Sequence, residues 1–182
     1  MNELQGDVEQ AYEAAKSGHW DRLLSMWADS DVLAKRCSRY TKPGSGWSFL
    51  HQAAYFGNQQ VCRALIGQGA STEALTHGSR TPAEVAEHGG HHGVAAFLRN
   101  ASIGRGTLWA PSMDPDTLPS SNRWEEATQT QADADVRVAY GGGLVKIAKG
   151  TPHFVDALGR VLVGWHGTFN PPCGMDGESI LS

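Results

Sequence analysis

The sequence predicts an α+β protein in which a short stack of about three helical repeats precedes a small antiparallel β-rich module. Two observations lead to this fold class. Similar segments recur 33 residues apart in the N-terminal part, which is typical of a repeat architecture. In the last third, the apolar period changes from the 3.6 residues of a helix to the 2 of a strand. We expect repeats over 1–102, a connecting segment over 103–121 and the β-rich module over 122–182.

Composition and charge exclude several classes of protein. The 182 residues carry a net charge of −4, which argues against nucleic acid as the main partner. Apolar runs are too short for a membrane span, and the acidic N-terminal residues do not resemble a secretory signal. The three cysteines are an odd number without CxxC spacing, which favours reduced thiols. We therefore expect an intracellular protein, cytoplasmic or nuclear, that binds no cofactor and no metal ion.

Three copies of the repeat can be aligned. The second copy runs from Ser48 to Ala70, and the third begins at Thr81, 33 residues after Ser48. The same offset relates the glycine and the apolar positions that follow: Gly57, Val61 and Leu65 match Gly90, Val94 and Leu98. A more divergent first copy covers residues 11–24. The interval between the first and second copies is six residues longer than the next interval.

Each copy contains the signals that begin and end a short pair of helices. A hydroxyl residue, Ser48 or Thr81, stands at the expected N-cap, and Pro82 follows where its missing N–H costs nothing. A glycine, Gly57 or Gly90, ends the first helix, and apolar residues at i, i+3 and i+4 predict the second. One such pair cannot bury its apolar face alone, so neighbouring copies are expected to stack.

The second copy reads S-F-L-H-x-A-A-x-x-G, which resembles the T-P-L-H-x-A-A pattern of ankyrin repeats. Ser48-Phe49 stand here in place of the family's Thr-Pro, whereas the third copy keeps Thr81-Pro82 but has Ala83-Glu84 where Leu-His is usual. The resemblance covers about residues 5–102. It implies that His51 forms hydrogen bonds with the backbone of a neighbouring repeat.

The resemblance also implies a function, because ankyrin repeats bind proteins through a concave face. That face consists of the hairpin tips and the first helix of each repeat. Carried over by position, it contains the predicted partner-binding residues Trp47, Tyr55, Phe56, His77, Arg80 and His88, together with Lys16 and Ser17 from the first repeat. Aromatic residues and arginine dominate binding hot spots. The alternative for the aromatic residues is that they pack beneath another part of the chain.

The longer interval, within Asp29–Gly46, is predicted to be a loop. It carries four cations in eight residues: Lys35, Arg36, Arg39 and Lys42. They predict a local positive patch on an otherwise acidic protein. Two interpretations remain open, namely a solvated loop and a docking site for an anionic partner surface or a phosphate.

Beyond the repeats, the sequence changes character. Residues 103–121 are rich in Gly, Pro and Ser and predict the connecting segment. Asn122 and Glu125 resemble a capping pair, which predicts a short helix over about residues 123–130.

The remaining sequence predicts two β-hairpins. Alternating apolar residues flank Gly141-Gly142-Gly143, which predicts one hairpin with a glycine turn. A second hairpin is predicted from His153–Asp156 and Arg160–Trp165. Four strands and one helix can form a small sheet that buries one face.

The C-terminal residues suggest a second candidate site. Reactive and aromatic side chains stand there among glycines and prolines, and loops of this kind often carry function. The candidates are His153, Asp156, Trp165, His166, Cys173 and Asp176. In a catalytic interpretation, Cys173 would be the nucleophile, a histidine its base and an aspartate the orienting group. A ligand pocket and a purely structural role are the alternatives.

We expect a non-catalytic protein–protein interaction module, an adaptor or targeting unit that uses the concave face and also, as one option, the C-terminal module. The reason is that the repeats are clear, whereas recognised catalytic motifs are absent from the sequence. The alternative is a small cysteine- or histidine-dependent enzyme, or a ligand-binding module, at the C-terminus. In that case the repeats would select its substrate.

Overall fold

The computed structural model describes residues 3–102, 114–140 and 143–163. The chain divides after Ser102 into two compact units. The described residues of the first unit form helices α1 (Glu3–Lys16), α2 (Trp20–Asp29), α3 (Asp31–Arg39), α4 (Phe49–Tyr55), α5 (Gln59–Gly67), α6 (Pro82–His88) and α7 (His92–Ala101). Every helix in the described ranges is too short or too polar to cross a membrane.

The first unit is a stack of helix pairs. Helix α1 packs against α4, and α4 packs against α6, so these three form one layer of the stack. Helix α5 packs against α7 in the other layer. The stacking predicted from the 33-residue spacing is therefore confirmed.

The predicted helix signals are also confirmed. The Ser48 hydroxyl accepts a hydrogen bond from the backbone N–H of His51, and the Thr81 hydroxyl accepts one from Glu84. A glycine ends the first helix of each pair in the left-handed region, with φ of +76° at Gly18, +66° at Gly57 and +79° at Gly90. Glycine reaches this region without the steric cost that a Cβ imposes.

The loop predicted within Asp29–Gly46 is wrong for half of its length, because this segment contains helix α3. Ser30 caps the helix by accepting a hydrogen bond from the backbone N–H of Leu33. Leu33, Ala34 and Cys37 are buried on one face, and the helix packs against α1, α2, α4 and α5. The density of cations suggested a solvated loop, but the apolar residues at i, i+1 and i+4 among them determine the structure.

Phe49 lies at the centre of the aromatic core of this unit. Its side chain is fully buried, and its ring lies 5.3 Å from that of Tyr12, 5.9 Å from that of Trp27 and 6.1 Å from that of Tyr40, all between centroids. These rings come from α1, α2 and the end of α3. The core therefore joins the divergent first repeat to the second.

The described residues of the second unit form two small sheets. The strands are β1 (Thr117–Leu118), β2 (Ser120–Ser121), β3 (Thr128–Gln131), β4 (Val136–Tyr140), β5 (Gly143–Ile147), β6 (Pro152–Val155) and β7 (Val161–Leu162). The strand orders are β1-β4-β5 and β2-β7-β6-β3. A common core of Ala132, Val138, Ile147, Val161 and Val163 is buried.

Both predicted hairpins are present. Strands β4 and β5 pair antiparallel with Val138 opposite Val145, and β6 pairs antiparallel with β7. Each sheet also contains one parallel pair, β1 with β4 and β2 with β7. These two strands come from the predicted connecting segment, where no alternation of apolar residues indicated them.

The short helix predicted over residues 123–130 is wrong. Only Trp124–Glu126 form a single 3₁₀ turn, and Thr128–Gln131 form β3, which pairs antiparallel with β6. The Thr-Gln-Thr-Gln sequence has no apolar stripe that could pack as a helix. Pairing with β6 satisfies its backbone instead.

Candidate partner-binding surface

Trp47 and Tyr55 line a groove of about 590 Å³ between α1 and α4. Trp47 lies at the base of the hairpin tip before α4, where its carbonyl accepts a hydrogen bond from the N–H of Lys42. Tyr55 ends α4 and is 54% exposed. The two rings meet edge to face with their centroids 6.0 Å apart. The structure thus brings together two residues that the sequence placed on the concave face.

His51 holds the wall of this groove in place. The ring is fully buried; its Nδ1 accepts a hydrogen bond from the N–H of Ser48 at 3.1 Å, and its Nε2–H donates to the carbonyl of Arg80 at 3.0 Å. The predicted link to the next repeat is therefore present. Burial lowers the pKa of His51, since a charged ring loses its hydration there. The ring of Trp47 packs against the His51 ring, and the two ring centroids lie 5.9 Å apart.

The floor of the groove is neutral. The side-chain amide of Gln52 donates a hydrogen bond of 2.9 Å to the hydroxyl of Tyr12, and both residues are buried. Burial raises the pKa of Tyr12, so the phenol stays protonated at physiological pH. The floor therefore presents ring and amide surface without a charge.

Three charged residues form the rim. The Glu13 carboxylate lies 3.0 Å from Lys42 Nζ and 4.0 Å from Lys16 Nζ. The hydrogen bond from Lys42 lowers the pKa of Glu13 and raises that of Lys42. Two ammonium groups therefore share one carboxylate.

Phe56 packs against the first repeat and is also partly exposed. It is 41% exposed, yet its ring lies 6.1 Å from Trp20 and 5.4 Å from Tyr55 between centroids. The same ring covers Gly18, where an added Cβ would lie 3.2 Å from it. The residue therefore packs against the first repeat and also contributes exposed aromatic surface next to Tyr55.

The tip of the third repeat carries two further predicted residues, His77 and Arg80, which are both exposed. This tip is joined to the preceding one, because the N–H of His77 donates to the carbonyl of Ser45 at 2.8 Å. Arg80 also lines a second groove of about 530 Å³ with His88 and Glu87. Four of the six predicted residues thus line a groove: Trp47 and Tyr55 line the first, which we call the Tyr55 groove, and Arg80 and His88 line the second. Phe56 and His77 line neither of these two grooves.

The acidic residues of the second groove already have partners within the repeat. Glu84 accepts a hydrogen bond from the N–H of Thr81 at 2.7 Å in the cap of α6. Glu87 binds His92 at 2.8 Å and Arg99 at 3.1 Å, and these contacts lower the pKa of Glu87. They stabilise the α6–α7 pair.

The four cations of the expected patch occupy two different settings. Lys35, Arg36 and Arg39 lie on α3 and are half-buried. Lys42 follows the helix and lines the Tyr55 groove with Glu13. The expected arrangement on one solvated loop is therefore wrong. The cause is the helix, which orients the first three side chains around its own axis.

Two residues of the C-terminal candidate site lie within the described ranges. His153 in β6 is 6% exposed, and its Nδ1–H donates to the carbonyl of Thr151 at 3.3 Å. Asp156 is 3% exposed and accepts hydrogen bonds from Arg160 Nε at 2.8 Å and from the N–H of Leu158 at 2.9 Å. Asp156 thus holds the turn between β6 and β7. Trp165, His166, Cys173 and Asp176 lie outside the described residues, so this site stays a prediction.

Sequence reasoning missed five residues that line the Tyr55 groove: Tyr12, Glu13, Gly44, Ser45 and Gln52. Gln52 occupies the variable position after the histidine of the repeat pattern, and the divergent first copy gave no firm alignment for α1. The i, i+3 spacing of Glu13 and Lys16 was a usable signal, because it places both on one face of α1.

Comparison with known proteins supports the repeat assignment. Residues 45–77 match the ankyrin repeat family, and these residues span the tip, α4 and α5. Residues 45–77 thus carry an ankyrin repeat. It belongs to the stack of helix pairs in the first unit.

Several curated proteins are similar to part of this chain. The chain is similar to calmodulin-binding transcription activator 4 of Arabidopsis thaliana (37% identical over 83 residues, 42% of this chain) and to calmodulin-binding transcription activator 5 of the same plant (34% over 85 residues, 43% of this chain). It is also similar to oxysterol-binding protein-related protein 1 of Homo sapiens (34% over 71 residues, 37% of this chain). The matches cover 8% of each of these relatives. The names of these relatives indicate different functions.

Proposed function

We propose that this chain is a non-catalytic protein–protein interaction module, an adaptor or targeting unit that binds its partner through the concave face of the ankyrin stack. The observation that carries this proposal is the Tyr55 groove. Two aromatic rings in contact, the half-buried Trp47 and the exposed Tyr55, are held there on a rigid base of hydrogen-bonded residues. Rigid aromatic anchors bind with little loss of conformational entropy.

The partner-binding residues have distinct roles in this proposal. Trp47, Tyr55 and Phe56 supply apolar contact area, while His77, Arg80 and His88 supply polar contacts from the tip and from α6. The ring contacts from Trp47 to Tyr55 and from Tyr55 to Phe56 support a continuous aromatic surface. Such clusters carry much of the binding energy of interfaces.

The proposed partner is a protein or a peptide inside the cell. The nucleus and the cytoplasm are both compatible with this role. Two of the relatives bear the name transcription activator, which favours the nucleus. A fluorescent fusion of the full chain, imaged in living cells, tests this compartment: a secreted or lumenal fusion would contradict an intracellular role.

A quantitative pull-down tests the binding face. The full chain, Tyr55→Ala, Arg80→Ala and the control Val32→Ala are used as baits, and the captured proteins are quantified by mass spectrometry. Val32 is 53% exposed on α3 and outside both grooves. We expect a protein whose capture falls at least about fivefold with both concave variants and is unchanged with the control, because truncating a hot spot costs more than ~1 kcal/mol. Equal capture by all four baits would place binding elsewhere.

A further inference from the structure

The Tyr55 groove is apolar on its wall and charged on its rim. Trp47 and Tyr55 form the wall, and the buried pair of Tyr12 and Gln52 forms a neutral floor. At about 590 Å³, the groove lies within the range of about 300–1,000 Å³ that is typical of ligand pockets. It can therefore hold a large apolar side chain together with part of the adjoining chain.

The charges on the rim do not balance. One carboxylate, Glu13, faces the two ammonium groups of Lys16 and Lys42. Lys42 forms the closer contact at 3.0 Å, whereas Lys16 lies 4.0 Å from the carboxylate and its side chain is 64% exposed. One positive charge is left over at Lys16. It lies on the rim of a mainly apolar groove, where an anionic group of a ligand can approach it.

A cationic ligand fits this groove poorly. Cations are attracted to aromatic faces, but the position above the Tyr12 ring is already taken by Lys42, whose Nζ lies 5.6 Å from the ring centroid. A lysine or arginine of a partner would also meet the like charges of Lys16 and Lys42. Charge complementarity therefore favours an acidic segment.

We propose that the Tyr55 groove binds an acidic peptide segment of the partner, with a large apolar side chain against Trp47 and Tyr55 and a neighbouring carboxylate at Lys16. This inference rests on the proposed function and names the chemistry of the segment that the concave face recognises. The apolar anchor supplies most of the affinity, and the carboxylate sets the specificity.

A peptide-display selection tests the chemistry of the ligand. A library of random dodecapeptides is selected on the immobilised full chain, and the bound pool is sequenced. We expect enrichment of peptides in which Asp or Glu lies within a few residues of a large apolar residue. Enrichment of Lys and Arg, of apolar residues without acidic neighbours, or of no sequence at all would overturn the acidic-peptide proposal.

Matched charge reversals then test the role of Lys16. The most enriched peptide is synthesised, and its dissociation constant is measured by fluorescence anisotropy with the full chain, Lys16→Glu and Arg22→Glu. Arg22 lies exposed on α2 and does not line the groove, so both variants change the net charge equally. We expect Lys16→Glu to weaken binding about fivefold or more, because an attraction becomes a repulsion. Arg22→Glu should stay within about twofold, and equal effects of the two variants would overturn the proposal.

A third variant, Tyr55→Ala, distinguishes a failure of this inference from a failure of the proposed function. If the peptide loses affinity with Tyr55→Ala but not with Lys16→Glu, the groove is a binding site and the acidic specificity is wrong. If it loses affinity with neither, the peptide binds elsewhere and the acidic-peptide proposal fails, while the pull-down decides separately whether a protein uses the concave face. Circular dichroism spectra of all variants verify that the helices are retained.

Discussion

At the residue scale, a few side chains determine how one repeat joins the next. His51 connects the cap of α4 to the carbonyl of Arg80 in the third repeat. Phe56 covers Gly18, and the His91 ring lies where a Cβ on Gly57 would stand. These contacts fix the geometry of the concave face, because they act between successive repeats. Substitutions at them test the stack directly.

Gly57→Ala should destabilise the protein more than Gly90→Ala. Both glycines have positive φ, +66° and +79°, and a left-handed conformation costs a residue with a Cβ about 1–2 kcal/mol. At Gly57 the added methyl would also collide with the ring of His91, whereas at Gly90 it meets no atom within 4 Å. Urea denaturation of the two variants measures the difference, and a larger loss at Gly90 would contradict the described packing.

The stability of the protein should depend on the protonation of His51. Burial lowers the pKa of this ring in the folded state. In the unfolded chain the pKa of a histidine ring is about 6.5. As the pH falls through that value, the unfolded chain binds a proton that the folded protein does not. The free energy of unfolding therefore falls, by at most about 1.4 kcal/mol per pH unit, until the folded-state pKa is reached.

NMR titration of His51 in the folded protein checks this prediction directly, and urea denaturation between pH 7.5 and 5.5 checks its effect on stability. His51→Gln serves as the comparison and should show a smaller loss over this range. A folded-state pKa at or above 6.5 would show that the ring is not the buried neutral group described.

Cys37 and Cys62 should resist alkylation in the folded protein. Both are fully buried, and burial raises the pKa of their thiols to about 11 and about 12. Since the thiolate is the reactive form, iodoacetamide at pH 8 should leave both unmodified, as measured by peptide mass spectrometry. The same treatment in urea should modify them. Rapid modification without urea would contradict the packing of α3 and α5.

At the element scale, the sequence correctly predicted the features whose signals are local and recur in each repeat. Caps at Ser48 and Thr81, together with the left-handed glycines, were predictable because each has a direct steric or hydrogen-bonding cause. Helix α3 was missed because its cations drew more weight than its apolar face. Strand β3 was missed because pairing with β6 is a contact between segments distant in sequence, which local propensity does not report.

Two substitutions in α3 test whether this segment is a packed helix. Leu33→Ala should destabilise the protein by about 2–5 kcal/mol, because it removes a buried side chain from the core. The neighbouring Val32 is 53% exposed, while Leu33 is 8% exposed. Val32→Ala should therefore stay within about 0.5 kcal/mol. Thermal or urea denaturation measures both, and small effects at both positions would indicate the solvated loop that the sequence suggested.

At the scale of the whole molecule, four of the residues assigned to the concave face, Trp47, Tyr55, Arg80 and His88, line two grooves on the repeats. Their role in binding a partner stays a prediction. The rim of the Tyr55 groove depends on α1, whose repeat diverges, so sequence alone did not place Glu13 there. Ion pairs between different repeats require the three-dimensional stack to be known.

The division of the chain after Ser102 leads to a prediction about folding. A fragment of residues 1–102 should fold by itself, because its aromatic core around Phe49 lies within these residues. Its far-UV circular dichroism should be helical, and urea should unfold it in one cooperative transition. A fragment without a cooperative transition would show that the repeats depend on the rest of the chain.

The central claim is that the concave face of the stack is the surface on which a partner protein binds. Site-specific photo-crosslinking tests it most directly: a benzoylphenylalanine replaces Tyr55 in one sample and Val32 in another, and both are irradiated in cell lysate. The claim predicts a discrete crosslinked species from position 55 and none from position 32. Crosslinks from position 32 alone, or equally from both positions, would contradict it.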